Sequence, residues 1–145
     1  MRLAEEIASW SKDTSTKVGA VIVNSDRHIL ATGYNDFPKN VVDDVPERRE
    51  RPTKYLFTEH AERNAIYQAT KKGTSLEGST LFCTMFPCAD CARAIISTGI
   101  QTIVSPKPSA EHWSESHDAA MAMLREAEIN IIELDSLDVL QATHR

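Results

Sequence analysis

Two short stretches of this chain combine residue types that hold metals and move protons. They are His60-Ala61-Glu62 and Pro87-Cys88-Ala89-Asp90-Cys91. Cys88 and Cys91 are three apart, so on a helix they share a face. Thiolates and imidazoles are good zinc ligands. A helix N-terminus also favours the thiolate, because its free N–H groups carry partial positive charge. A CxxC by itself reads equally as metal ligands, a redox pair or two buried structural cysteines. The third cysteine, Cys83, sits in an apolar stretch and reads as core. A zinc finger or ribbon needs four closed ligands, and a second CxxC is missing.

His60 changes the balance. One histidine and two cysteines fill three tetrahedral positions and leave the fourth open, the arrangement of a catalytic zinc rather than a structural one. Glu62 then stands as the acid/base, although a glutamate in a first helical turn is also what the helix dipole favours. Taken together the two stretches match H-x-E…P-C-x-x-C, the established signature of zinc deaminases. Zinc lowers the pKa of its water from about 15.7 to about 7. Glu62 takes that water's proton, the oxygen attacks carbon 4 of a cytosine, and Glu62 passes the proton to ring nitrogen 3. It then helps the amine leave as ammonia.

These residues need elements to position them. Leu3 to Trp10 reads as a helix, with Leu3, Ile7 and Trp10 on one face. Val18 to Val23 and Ile29 to Tyr34 read as strands joined by Asn24-Ser25-Asp26, a hairpin. Ala61 to Lys71 reads as a helix stopped by Lys72 and Gly73. Strand Thr80 to Met85, helix Cys88 to Ser97, strand Gln101 to Ser105, helix Asp118 to Glu126 and strand Ile129 to Leu134 follow. Leu137 to Arg145 adds a short helix or frays. Both motifs therefore sit at helix starts, each just after an extended segment. Alternating elements after a hairpin predict an α/β chain: a mixed, partly parallel sheet with helices on both faces. Asn35 to Phe57 stands apart, with three prolines and dense charge. A long irregular segment is functional, mobile or a solvated insertion.

Bulk properties narrow the classes. The 145 residues fit one domain spanning 1–145. At 41% hydrophobic and 26% charged, the composition is that of a globular protein. A net charge of -5 argues against nucleic acid as the main partner. Three cysteines do not make a secreted disulfide framework. No apolar run approaches the ~20 residues of a membrane span, and Met1 to Trp10 lacks a signal-peptide pattern. The expected location is the cytoplasm, of a host if the gene is viral.

The flanks carry a family resemblance. Ser11-Lys12-Asp13, Lys17-Val18-Gly19-Ala20-Val21-Ile22-Val23 and Gly33-Tyr34-Asn35-Asp36-Phe37-Pro38 resemble the deoxycytidylate deaminase family. So do His60-Ala61-Glu62-Arg63-Asn64-Ala65-Ile66, Phe86 to Ala92, and Ile95-Ile96-Ser97-Thr98-Gly99-Ile100. The zinc motifs are common to the whole superfamily; the SKD, VGAVIV and GYN stretches point to the nucleotide-monophosphate branch. The resemblance implies a cytidine deaminase-like three-layer fold with a five-stranded sheet. It implies conversion of dCMP to dUMP, one catalytic zinc per chain held by His60, Cys88 and Cys91, and a homo-oligomer, typically a hexamer. It assigns Asn35 to the sugar hydroxyl, Ser11 and Lys12 to the phosphate, and Ala61 to substrate binding. It also implies dCTP and dTTP as effectors, with Mg2+ on the nucleotide. Asp36 and Asn40 depart from the family's glycines in the loop that regulated members use, so activation by dCTP is expected to be weak or absent. A carboxylate at position 36 repels a triphosphate unless Lys39 or one of Arg48 to Arg51 neutralises it. The competing readings are a deaminase of another cytosine nucleotide or nucleoside, a deaminase of tRNA adenosine, and a zinc module without catalysis.

Overall fold

The computed structural model describes residues 1–107 and 110–135. The expected C-terminal element, Leu137 to Arg145, lies outside the described residues. The elements are α1 (Arg2–Ser9), β1 (Gly19–Val23), β2 (Ile29–Tyr34), α2 (Ala61–Lys72), β3 (Thr80–Cys83), α3 (Ala89–Ser97), β4 (Thr102–Pro106), α4 (Glu115–Glu126) and β5 (Asn130–Leu134). Short 3-10 turns cover Pro46–Arg49, Thr53–Leu56 and Ala110–His112.

The strands form one five-stranded sheet in the order β2-β1-β3-β4-β5. β1 runs antiparallel to β2 and to β3, whereas β3, β4 and β5 are parallel. Each parallel pair is joined through a helix, as parallel neighbours require. Side chains alternate across the sheet. Ala20, Ile22, Leu81, Cys83 and Ile103 join Ala65 and Ala69 of α2, Ala92 and Ile95 of α3, and Ala120 and Leu124 of α4 in one core. On the opposite face Val21 packs with Ala4 and Ile7 of α1. Helices thus cover both faces, as expected.

Two glycines set how closely the helices sit. A Cβ on Gly33 would lie 2.3 Å from the Ala61 carbonyl, and one on Gly19 would lie 2.0 Å from the Ala4 carbonyl. The first contact is at the start of α2, so Gly33 brings that motif-bearing end down onto the sheet.

Some boundaries shift, for local reasons. β3 stops at Cys83, two residues before the expected Met85. Cys88 precedes α3 rather than opening it: its backbone is extended (φ -74°, ψ 174°), the N-cap conformation. His60 stands likewise before α2 (φ -78°, ψ 152°). α4 starts at Glu115, three residues before Asp118, because Ser114 and His117 cap it reciprocally. The charged segment after β2 is held in place by its own pairs. Arg49 lies 3.4 Å from Asp36 and 3.2 Å from Asp43, and Lys12 bonds Asp43 at 2.7 Å. Arg48 stacks over Phe57 and Arg49 over Phe37.

Candidate metal centre and cavity

The centre is assembled at the N-terminal ends of α2 and α3. His60 Nδ1 lies 3.5 Å from Cys88 Sγ and 3.5 Å from Cys91 Sγ. All three ligating atoms fall within 4.8 Å of one another. Cys88 and Cys91 meet because one full turn of helix separates them, and His60 reaches them because α2 and α3 pack side by side.

The electrostatics test whether this donor set suits a cation. The hydrogen bond from Cys91 holds the Cys88 thiol down at about 3, against the cost of burial and helped by His60. Cys91 is pushed in the opposite direction, because its own proton makes that bond and because it is buried. A divalent cation between the sulfurs removes the conflict and lets both ionise, so the donors fit zinc. The hydrogen bond with Cys88 raises the pKa of His60.

Glu62 is 3% exposed, and burial raises its pKa. A carboxyl so placed exchanges protons more readily near neutral pH than a solvated one. Cys83 is fully buried beside Glu62, its thiol pushed well up by burial. It is a core residue, as expected, and does not join the ligand group.

A cavity of about 390 Å³ opens onto this centre. His60, Ala61, Glu62 and Cys88 line its metal end, with Phe86 and Met85 as an apolar wall. Asn35 lines it too. The Asn35 side chain is already bonded, donating to the Thr16 carbonyl at 2.8 Å and accepting from Val18 N at 2.7 Å. Each end of an amide keeps one further hydrogen-bonding position.

The other two sequence-predicted residues stand elsewhere. Ser11 is buried and donates to the Asn35 carbonyl at 2.6 Å, so it shapes the loop behind the cavity. Lys12 points away. It lines a second cavity of about 660 Å³, together with Asp36, Lys39, Asn40, Asp43 and Lys72. Residues missed in the sequence line the first cavity instead, among them Arg51, Lys54 and His117. Lys54 is buried and donates to Asp13 Oδ2 at 2.8 Å and Ser15 Oγ at 2.7 Å. Burial opposes ionisation of Asp13, yet Lys54 and the amides of Thr16 and Ser15 outweigh it and hold the carboxyl at about 2. The Asp of the SKD stretch was one signal for this corner. Nothing local marks Lys54, which lies among other charges in the irregular segment.

Comparisons with known proteins follow the same lines. Residues 1–106 match the family model described as the cytidine and deoxycytidylate deaminase zinc-binding region. A deaminase from the luxG 3' region of Aliivibrio fischeri is 40% identical over 143 residues, covering 97% of this chain and 93% of that protein. Deoxycytidylate deaminase of Homo sapiens is 38% identical over 129 residues, covering 86% of this chain and 70% of the human protein. The crystal structure of dCMP deaminase from cyanophage S-TIM5, in complex with dCMP and dUMP, is 27% identical. It superposes with a TM-score of 0.75 over 92% of each chain.

Proposed function

We propose that this chain, which belongs to the cytidine and deoxycytidylate deaminase family, is a zinc-dependent enzyme that hydrolyses dCMP to dUMP and ammonia. The reading rests on one observation above all. His60, Cys88 and Cys91 converge on a point beside a buried acid, at the end of a cavity. The human and phage relatives named for dCMP support the substrate.

His60, Cys88 and Cys91 would hold the zinc, which would supply the Lewis acidity that makes water a nucleophile at neutral pH. The protein's own groups do the rest. Glu62 takes a proton from the attacking water and delivers it to ring nitrogen 3, then takes the remaining proton of the new C4 hydroxyl and passes it to the departing amine. The C4–N bond breaks as the C4–O bond becomes a carbonyl, so one water enters and one ammonia leaves. Phe86 and Met85 wall the base and exclude bulk water. Ala61 opens α2, where the backbone N–H has no intrahelical partner and is free for a ligand. Asn35 is assigned to the sugar. Arg51, with no ion pair or hydrogen bond among the described residues, offers a cation for the phosphate.

The finer assignments complete the reading: a single deaminase domain over 1–145, a homo-oligomer, a cytoplasmic location and no nucleic-acid partner. No helix among the described residues is long and apolar enough to cross a membrane. For regulation, Asp36 is neutralised by Arg49, one of the arginines considered for that role. That pairing also removes Arg49 as a triphosphate contact, so weak activation by dCTP remains the reading, with Lys39 and Lys72 as the cations left for a magnesium nucleotide. Metal analysis and ammonia release from dCMP, CMP, deoxycytidine and an adenosine-containing tRNA stem test the whole scheme. One zinc per chain and efficiency highest for dCMP are expected. Equal efficiency on deoxycytidine moves the assignment to a nucleoside deaminase.

A further inference from the structure

His60 and Cys88 both occupy N-cap positions. An N-cap side chain ordinarily accepts a hydrogen bond from the first-turn amides of its own helix. The His60 side chain makes no such bond, and the Cys88 sulfur turns to His60 and to the Cys91 end of its own turn, so neither side chain reaches the first amide of its helix. The polar groups at these helix ends need partners from elsewhere.

Both ends have such partners. Ahead of α2, the His60 amide donates to Glu59 Oε1 at 2.9 Å. The same oxygen accepts from Arg63 Nε at 2.6 Å. Arg63 is the third residue of α2, where a capping box would place an acid. Its guanidinium also lies 3.6 Å from Asp90 Oδ2 on α3, spanning the two helices that carry the ligands. Ahead of α3, the Ala89 amide donates to Ser116 Oγ at 2.9 Å. Ser116 belongs to α4 and immediately precedes His117 of the cavity wall.

We propose that Ser116 and the Glu59–Arg63 pair are substitute caps, positioning residues that hold Cys88 and His60 in ligating geometry. None of the three joins the ligand group or lines the cavity. They fix the backbone from which each ligand projects, and Ser116 also ties the cavity wall to the Cys88 end. The proposal rests on the zinc placement described above.

The test uses the full chain loaded with zinc or with cobalt(II), in wild type, Ser116→Ala, Ser116→Thr and Arg63→Gln. Two readouts need no substrate: the rate of zinc transfer to a chromogenic chelator, and the cobalt d–d and thiolate-to-metal absorption bands. Thermal midpoints are measured alongside. Outer contacts of this type change metal affinity about 10- to 100-fold. Ser116→Ala and Arg63→Gln are expected to release zinc about tenfold faster or more, with shifted cobalt bands. Ser116→Thr, which keeps the hydroxyl, restores both. Unchanged release and unchanged bands in Ser116→Ala overturn the proposal even if the midpoint falls, because the serine then only docks α4. If Ser116→Ala yields no folded protein, Arg63→Gln decides by the same criterion. A wild type that binds zinc but deaminates nothing sinks the enzymatic reading and leaves these measurements intact. A wild type that binds no zinc overturns both.

Discussion

The two cavities differ in how their polar groups are matched. In the larger one, the acids Asp36 and Asp43 are answered by Arg49 and Lys12, which leaves Lys39 and Lys72 as its spare cations. In the smaller one, an imidazole and two sulfurs converge, and the bond to Cys88 together with burial pushes the Cys91 thiol up, a conflict that a bound cation relieves. The larger volume therefore says little about chemistry. What counts is whether the groups facing a cavity are satisfied by one another or left needing a ligand.

Variants can break or sharpen that contrast. Cys88→Ala removes a proposed ligand and should take zinc from about one per chain to near none, with activity lost alongside; metal analysis after desalting checks it. Full zinc and full activity in that variant would remove the smaller cavity's distinction. Glu62→Gln should keep its zinc and fold but lose roughly 100- to 10,000-fold in turnover on dCMP. Near-normal turnover would reduce Glu62 to a first-turn acid.

Lys54→Met leaves Asp13 buried without its cation and should cost about 3–5 kcal/mol of stability, read from urea unfolding. The same pair has a pH signature. The Asp13 carboxyl sits at about 2, below its ordinary 3.8, so its stabilisation is present above pH 4 and is lost as pH falls towards 2. The loss is about 2 kcal/mol. An Asp13→Asn, Lys54→Met double variant should lack that component of the low-pH slope. The smallest effect is expected at Lys12, which is 64% exposed and lines the larger cavity. Lys12→Ala should leave the efficiency with dCMP within error. A severalfold rise in KM would return Lys12 to the phosphate and blur the separation of the two cavities.

The sequence determined much of this protein by itself. Alternating apolar residues and glycine stops marked the strands and helices. The HAE and PCADC stretches marked the candidate ligand group, because spacing on a helix is a local property. The same locality grouped Lys12 with the SKD serine, its neighbour in the chain, although Lys12 lines the other cavity. Only the tertiary structure brought Lys54, from within the irregular segment, under Asp13. Only it carried Ser116 of α4 to the amide beside Cys88, across 27 residues of chain. Helical spacing and N-cap placement follow from backbone geometry within a few residues. Burial of a lysine and capping by a distant serine depend on which elements pack together, and that is decided by the whole core.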